Sequence, residues 1–213
     1  MAKLVTKIQR DEIVTRVCQE FTYEFSEYIE FQEHDIKDQI PKDFSIGVIV
    51  GTSGSGKSLL LNDFGKYEDP EWDKTKAVCS HFKDYEEASE KLMAVGFNSI
   101  PEWLKNYNIL STGQKYRLDL ARIINNNIGV DEFTSVIDRF TALGLCNSVS
   151  KYIRKNDIKG VVFATVHKDI IEYLQPDWIY NTDNQELTIN SDKYEIQVDE
   201  NVSFRKVMEV KLT

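Results

Sequence analysis

Apolar positions change their spacing along the chain, and the changes mark out the elements. From Ile13 to about His34, "VTRVCQEFTYEF" and "EYIEFQEH" alternate apolar with polar residues and favour β-branched and aromatic types, which predicts an antiparallel pair of strands. "DFSIGVIVGTSGSGKSLLLNDFG" then runs as a short apolar strand, a Gly/Ser loop and an apolar helix. "KAVCSHF" reads as a further strand, and a helix follows from Asp84 to Val95 with Asp84-x-x-Glu87 as its capping box. The next helix covers Gly113 to Asn125, opened by the capping box Ser111-x-x-Gln114, and leads to a short strand ending at Asp131. That strand is weak, because "NNNIGV" offers only Ile128 and Val130 as apolar residues. A helix from about Arg139 to Asn156 precedes the buried-type strand "GVVFATVH", and a last helix, Asp169 to Leu174, stops before Pro176. The remainder holds alternating strands such as "EIQV" and "KVMEVKL". Strands alternating with helices imply an α/β fold with a mainly parallel sheet, and the two ends of the chain supply an antiparallel, β-rich rim.

Composition narrows the class. A chain of 213 residues suits one domain spanning 1–213, and 41% hydrophobic with 29% charged residues is the balance of a soluble globular protein. The longest strongly apolar stretch, Ile46 to Val50, is far short of the roughly 20 residues a membrane-spanning helix needs. "MAKLVTKIQRDE" has no apolar core of a secretion signal, and the widely spaced Cys18, Cys79 and Cys146 suit free thiols in a reducing cytoplasm. A net charge of −9 excludes a broad nucleic-acid-binding face and leaves only a local basic patch for direct contact.

Gly51-Thr52-Ser53-Gly54-Ser55-Gly56-Lys57-Ser58 matches GxxxxGK[ST] between an expected strand and an expected helix. Its glycines let successive amides, from Gly51 through Ser53, Gly54, Ser55 and Gly56 to Leu59, curl around the β- and γ-phosphates of a nucleotide. Lys57 supplies positive charge to the phosphates and the Ser58 hydroxyl a ligand for Mg²⁺. A plain Gly/Ser turn is the alternative, and the strand and helix on either side count against it. At the end of the second strand, Asp131 suits Mg²⁺ and Glu132 suits a general base for the attacking water. Alone, two adjacent acids read more readily as a solvated turn.

They are not alone. "ILSTGQKYRLDLAR" resembles the signature motif of ABC-type ATPases, "DEFTSVIDR" resembles their Walker B and D-loop run, and His167 stands where that family keeps a switch histidine. Together with the phosphate loop, four motifs occur in the family's order. "HKDIIEYLQPDW" and "VGFNSIPEWLKNYNIL" further resemble a group of small soluble ABC-type ATPases of bacteria and their viruses, some joined to a predicted GNAT-type acetyltransferase domain. The resemblance covers roughly residues 40–181. Thr112 departs from it, replacing the first glycine of the signature pair, and Lys57 to Leu110 is short for a span that in transporter ATPases holds the Q-loop and the membrane-facing helical subdomain.

The resemblance implies a P-loop NTPase of ABC type with a reduced helical subdomain at about 83–125 and C-terminal strands at about 186–213. It implies a homodimer in the ATP state, closed head to tail around two Mg-ATP. Ser111, Gly113 and Gln114 would then meet the γ-phosphate held by the other subunit, at a helix start whose dipole favours anions. Glu132 would handle the water, His167 would hold the γ-phosphate, and Asp138 would carry coupling across the dimer. An aromatic of the N-terminal strands stacks on adenine in this family. Tyr23, Phe25 and Tyr28 are the candidates, with sheet core as the other reading. The expected function is a soluble ATPase that switches an unidentified protein partner, in a phage or nucleic-acid-modification setting. The alternatives are the ATP subunit of a transporter and a P-loop phosphotransferase.

Overall fold

The computed structural model describes residues 3–32, 34–65 and 67–190. Strands β1 (Lys3–Lys7) and β2 (Tyr28–Gln32) pair antiparallel in a small sheet of their own, with helix α1 (Glu12–Glu20) between them in the chain. The segment expected to be the first strand of a pair is therefore largely α1. Asp11 caps it by accepting from the Val14 amide at 2.8 Å, and Ile13, Val17 and Phe21 recur at helical spacing despite their β-favouring side chains.

The main sheet has five strands in the order β4-β5-β3-β6-β7. These are β3 (Ile46–Val50), β4 (Ile128–Val130), β5 (Val161–Thr165), β6 (Trp178–Asn181) and β7 (Glu186–Ile189). All pairs are parallel except the edge pair β6–β7, giving the mainly parallel α/β sheet with an antiparallel rim. Expected strands beyond residue 190 lie outside the described residues. Among the described residues, no helix is long and apolar enough to cross a membrane.

Helices cover both faces. Ile46, Val48 and Val50 of β3 point to a core shared with α3 (Tyr85–Ala94), α5 (Thr112–Ile123) and α6 (Arg139–Lys155). Ile49 points the other way, to Leu60 and Leu61 of α2 (Lys57–Leu61) and to Trp178. Gly47 is required there, since a Cβ would lie 2.1 Å from the Trp178 ring that packs across it. Gly129, in the short strand β4, is close-packed in the same way. A Cβ at Gly129 would come within 2.9 Å of Leu61, so α2 closes directly over the strand.

Two local expectations change. "KAVCSHF" is a 3-10 turn, Val78–His81, because the His81 ring holds it: Nε2 accepts from the Asp73 amide at 2.9 Å, leaving Nδ1 to donate to the Ala77 carbonyl at 3.0 Å. Asp84 caps α3 through the Glu87 amide, but the Glu87 carboxylate reaches the Lys83 amide instead of closing the box. Short helices α4 (Ile100–Trp103) and α7 (Ile171–Leu174) complete the chain's regular elements among the described residues.

Candidate nucleotide site

Sheet register gathers three of the four motifs. Val50 pairs with Thr165 and Val130 with Phe163, so the phosphate loop, Asp131 and the approach to His167 leave adjacent strands β3, β4 and β5 at one edge. Neighbouring strands lie about 4.8 Å apart, which brings the three exits within roughly 10 Å. Ligands of α/β sheets bind at this carboxyl edge.

Gly54 and Gly56 take φ of 79° and 91°, the left-handed region that costs glycine little. Lys57 is buried, and its ammonium lies within the loop's curve, donating to the carbonyls of Gly51 at 3.0 Å and Thr52 at 2.6 Å. Ser53, Ser58 and Leu59 are exposed along the same stretch, while Leu60 anchors α2 in the core. These residues fit a polyphosphate: free backbone curvature, a cation inside it and an accessible hydroxyl beside it.

The loop is also gripped from β6 and from the N-terminal region. The Thr52 amide and hydroxyl both donate to Asp183 Oδ1, at 2.9 and 2.8 Å. Those bonds hold the Asp183 carboxyl below its ordinary range, with Lys168 and Lys57 adding a smaller pull. Ser55 and Thr182 hydroxyls meet at 2.6 Å. The His34 Nε2 lies 3.0 Å from the Ser55 carbonyl, which can only accept, so this nitrogen carries a proton. The Nδ1 lies 2.9 Å from the Tyr180 hydroxyl, whose ionisation burial opposes.

The turn after β4 is built differently. Glu132 and Thr134 have φ of 48° and 70°, left-handed values that cost a non-glycine residue on the order of 1–3 kcal/mol each. Phe133 between them is fully buried and packs on Phe163 with ring centroids 4.1 Å apart, an anchor whose loss costs about 3–5 kcal/mol. Every amide of the turn has an acceptor. Glu132 N–H donates to Asp131 Oδ1 at 2.8 Å, Phe133 to the Ala164 carbonyl at 2.8 Å, Thr134 to the Tyr116 hydroxyl at 3.1 Å and Ser135 to the Glu132 carbonyl at 3.0 Å. The Ser135 hydroxyl donates to Glu132 Oε2 at 2.7 Å and so orients the exposed carboxylate. The buried Thr165 hydroxyl donates to the Phe133 carbonyl at 3.0 Å and accepts from the His167 amide at 3.1 Å. One side chain thus spaces His167 from the acidic turn. Beyond it, Asp169 pairs with Arg139, which holds its carboxyl below the usual range.

The fourth motif stands apart. Ser111 caps α5 with both halves of the capping box formed, at 3.3 Å to the Gln114 amide and 3.0 Å from the Ser111 amide to Gln114 Oε1. Gln114 Nε2 also donates to Glu102 at 2.6 Å. Gly113 is tight against the segment after the acidic turn, since a Cβ there would sit 3.3 Å from Ile137. Among the described residues, no hydrogen bond joins Ser111, Gly113 or Gln114 to the chain's own phosphate loop. Asp138 is exposed and caps α6 through the Thr141 amide, and hydrogen bonds from the Thr141 hydroxyl first and its amide second lower its pKa. Behind the signature, Trp72 stacks on Tyr107 at 4.6 Å, and both donate to Asp119 at 2.7 Å. Burial nevertheless raises the Asp119 pKa, as befits a small core of its own.

Tyr28 lies on β2, half exposed, with the Lys7 ammonium 5.8 Å from its ring. Phe25 sits under Arg10 at 5.9 Å, and Tyr23 is exposed. None of the three has a described contact with the phosphate loop; from this end of the chain, His34 makes one. His34, Thr165, Thr182, Asp183 and Tyr116 escaped the sequence reading. Their partners lie up to 132 positions away, and no local spacing announces them.

The mainly parallel sheet with its phosphate loop, helices on both faces and small antiparallel sheet is the fold of ABC-type P-loop NTPases. Solved structures show it: the dimeric MJ0796, a bacterial ABC transporter cassette, superposes with a TM-score of 0.52 at 18% identity, covering 73% of this chain and 87% of that one. A post-hydrolysis dimer of the ATP-binding cassette MJ0796 bound to ADP and Pi gives 0.53 at 19% identity, covering 75% and 89%. No family model matches the chain, and no curated protein does.

Proposed function

We propose that the chain is an ATPase of the ABC class that closes head to tail with a second copy around two Mg-ATP and uses that closure as a switch on a protein partner. The observation that carries the reading is the convergence of the phosphate loop, the Asp131–Glu132 turn and His167 at one sheet edge, with a capped, exposed signature helix start that makes no described hydrogen bond to that loop. In this reading the loop amides and Lys57 hold the polyphosphate, and Ser58 with Asp131 hold Mg²⁺, which brings the charge neutralisation phosphoryl transfer needs. Glu132 accepts the proton of the attacking water, and His167 fixes the γ-phosphate side of the site. Ser111 and the Gly113 amide donate to the γ-phosphate bound by the other copy. Support for a dimer comes from likeness to MJ0796, which is dimeric and in one state bound to ADP and Pi. The single-domain layout, the reduced subdomain, the role of Asp138 across the dimer, adenine stacking by Tyr28 and the phage setting belong to the same proposal.

The test is Glu132→Gln with ATP and Mg²⁺. Turnover should fall by about 10²–10⁴-fold while ATP stays bound, and light scattering should show a dimer. A variant that binds ATP tightly yet stays monomeric at high concentration would sink the head-to-tail reading. Recovery of a membrane protein with the trapped dimer would make the chain a transporter subunit instead.

A further inference from the structure

Thr134 is fully buried, and its amide has a hydroxyl rather than a carbonyl as its acceptor: that of Tyr116, on the helix whose first residues are the signature. The bond crosses from α5 to a turn held in left-handed backbone at two non-glycine residues, Glu132 and Thr134. Such a turn persists only while its surroundings hold it. Thr165 holds one side, through the Phe133 carbonyl, and Tyr116 holds the other. The carboxylate of Glu132 follows the turn closely, because Ser135 binds both its carbonyl and its Oε2. One helical turn separates Gly113 from Tyr116, so a shift of the helix start reaches the hydroxyl directly. Gly113 itself touches the following segment at Ile137, which makes a second contact between the same two elements.

We propose that Tyr116 is a positioning residue: its hydroxyl couples the start of the signature helix to the turn that aims Glu132. The inference rests on the ATPase reading above. There, Ser111 and Gly113 meet the nucleotide of the other copy while Glu132 acts on the chain's own. Tyr116 then links the two sites of the dimer inside each subunit, and the carboxylate reaches its working position only when the helix start is engaged. An ordinary packing role would need the ring alone.

Tyr116→Phe keeps the ring and removes the hydroxyl. Steady-state ATPase rates of the full chain should show kcat lower on the order of tenfold with KM for ATP unchanged. The rate against ATP should be sigmoidal in the wild type and hyperbolic in the variant. In the Glu132→Gln background, ATP-driven dimerisation should survive the second substitution, and hydrogen exchange at the Thr134 amide should speed up. Unchanged kcat and sigmoidicity would overturn the coupling role. A parallel loss of folding, nucleotide binding and dimerisation would reduce Tyr116 to a structural residue and overturn it equally. A wild type that turns over no ATP would remove the ATPase reading first and this inference with it, whereas active wild type beside an indistinguishable variant removes this inference alone.

Discussion

The phosphate loop takes up left-handed backbone at Gly54 and Gly56, where no side chain resists it, while the turn one strand further does so at Glu132 and Thr134, where side chains do. In the loop, shape is intrinsic to residue type: glycine reaches φ > 0 without steric cost. In the turn, shape is imposed by three contacts from two other elements, the Phe163 ring and Thr165 hydroxyl of β5 and the Tyr116 hydroxyl of α5. A loop whose glycines supply its curvature asks less of its neighbours to hold an anion. A turn that depends on its neighbours moves when they move, which suits a carboxylate that must act only in an assembled site.

The hardest way to break the comparison is at the loop's first residue. Gly51→Ala places a Cβ 2.0 Å from the buried Thr182 hydroxyl and 2.8 Å from that of Ser55. Overpacking of this kind costs about 1–3 kcal/mol. Because the displaced atoms form the phosphate cradle, the cost should fall on binding, weakening ATP by roughly ten- to hundredfold in calorimetric titration. Wild-type affinity in this variant would show that the loop, too, is shaped by something other than its glycines.

A smaller effect is expected from loosening the turn. Thr165→Val is nearly isosteric and removes the hydroxyl shared by the Phe133 carbonyl and the His167 amide. The buried Phe133 carbonyl and the part-buried His167 amide then lose their partner, at about 1–3 kcal/mol for the buried group left unsatisfied and less for the other. Thermal melts should show that loss, and kcat should drop with ATP affinity kept, because the phosphate loop is untouched. A variant with lowered affinity and normal kcat would mean that β5 supports the loop rather than the turn.

The same contrast explains what could be read from the sequence. Gly51 to Ser58, β3, β5, α5 with its capping box, and α6 were legible because each is specified by neighbours in the chain. β1 was missed, and the first expected strand is a helix: Ile13, Val14, Thr15 and Val17 look like a strand, whereas the cap at Asp11 and the spacing of Val17 and Phe21 make α1. Val78–His81 was misread because the His81 ring, not the backbone pattern, sets its shape. Asp131, Glu132 and His167 were legible as a motif, but the devices that place them were not. Tyr116 and Thr165 look like a helix aromatic and a strand threonine until the fold brings them to the turn.

Asp183 is the charged contact that makes the loop resemble the turn, because its carboxylate holds the Thr52 amide and hydroxyl from outside, beside the neutral contacts of Thr182 and His34 with Ser55. Its folded-state pKa lies below the ordinary value of 3.8, so its contribution is fully present above that value and is lost as pH falls through the depressed one. Asp183→Asn keeps an oxygen that can accept both bonds but carries no charge. The variant should melt below the wild type by a constant margin from about pH 8 to pH 5, and the two curves should converge as the medium becomes more acidic than about pH 4. The carboxylate is exposed, so the margin should be the smallest of these effects and should shrink with added salt. A margin that persists unchanged in strong acid would trace the difference to the shape of the amide, leaving the phosphate loop without an electrostatic clamp and the contrast with the acidic turn intact.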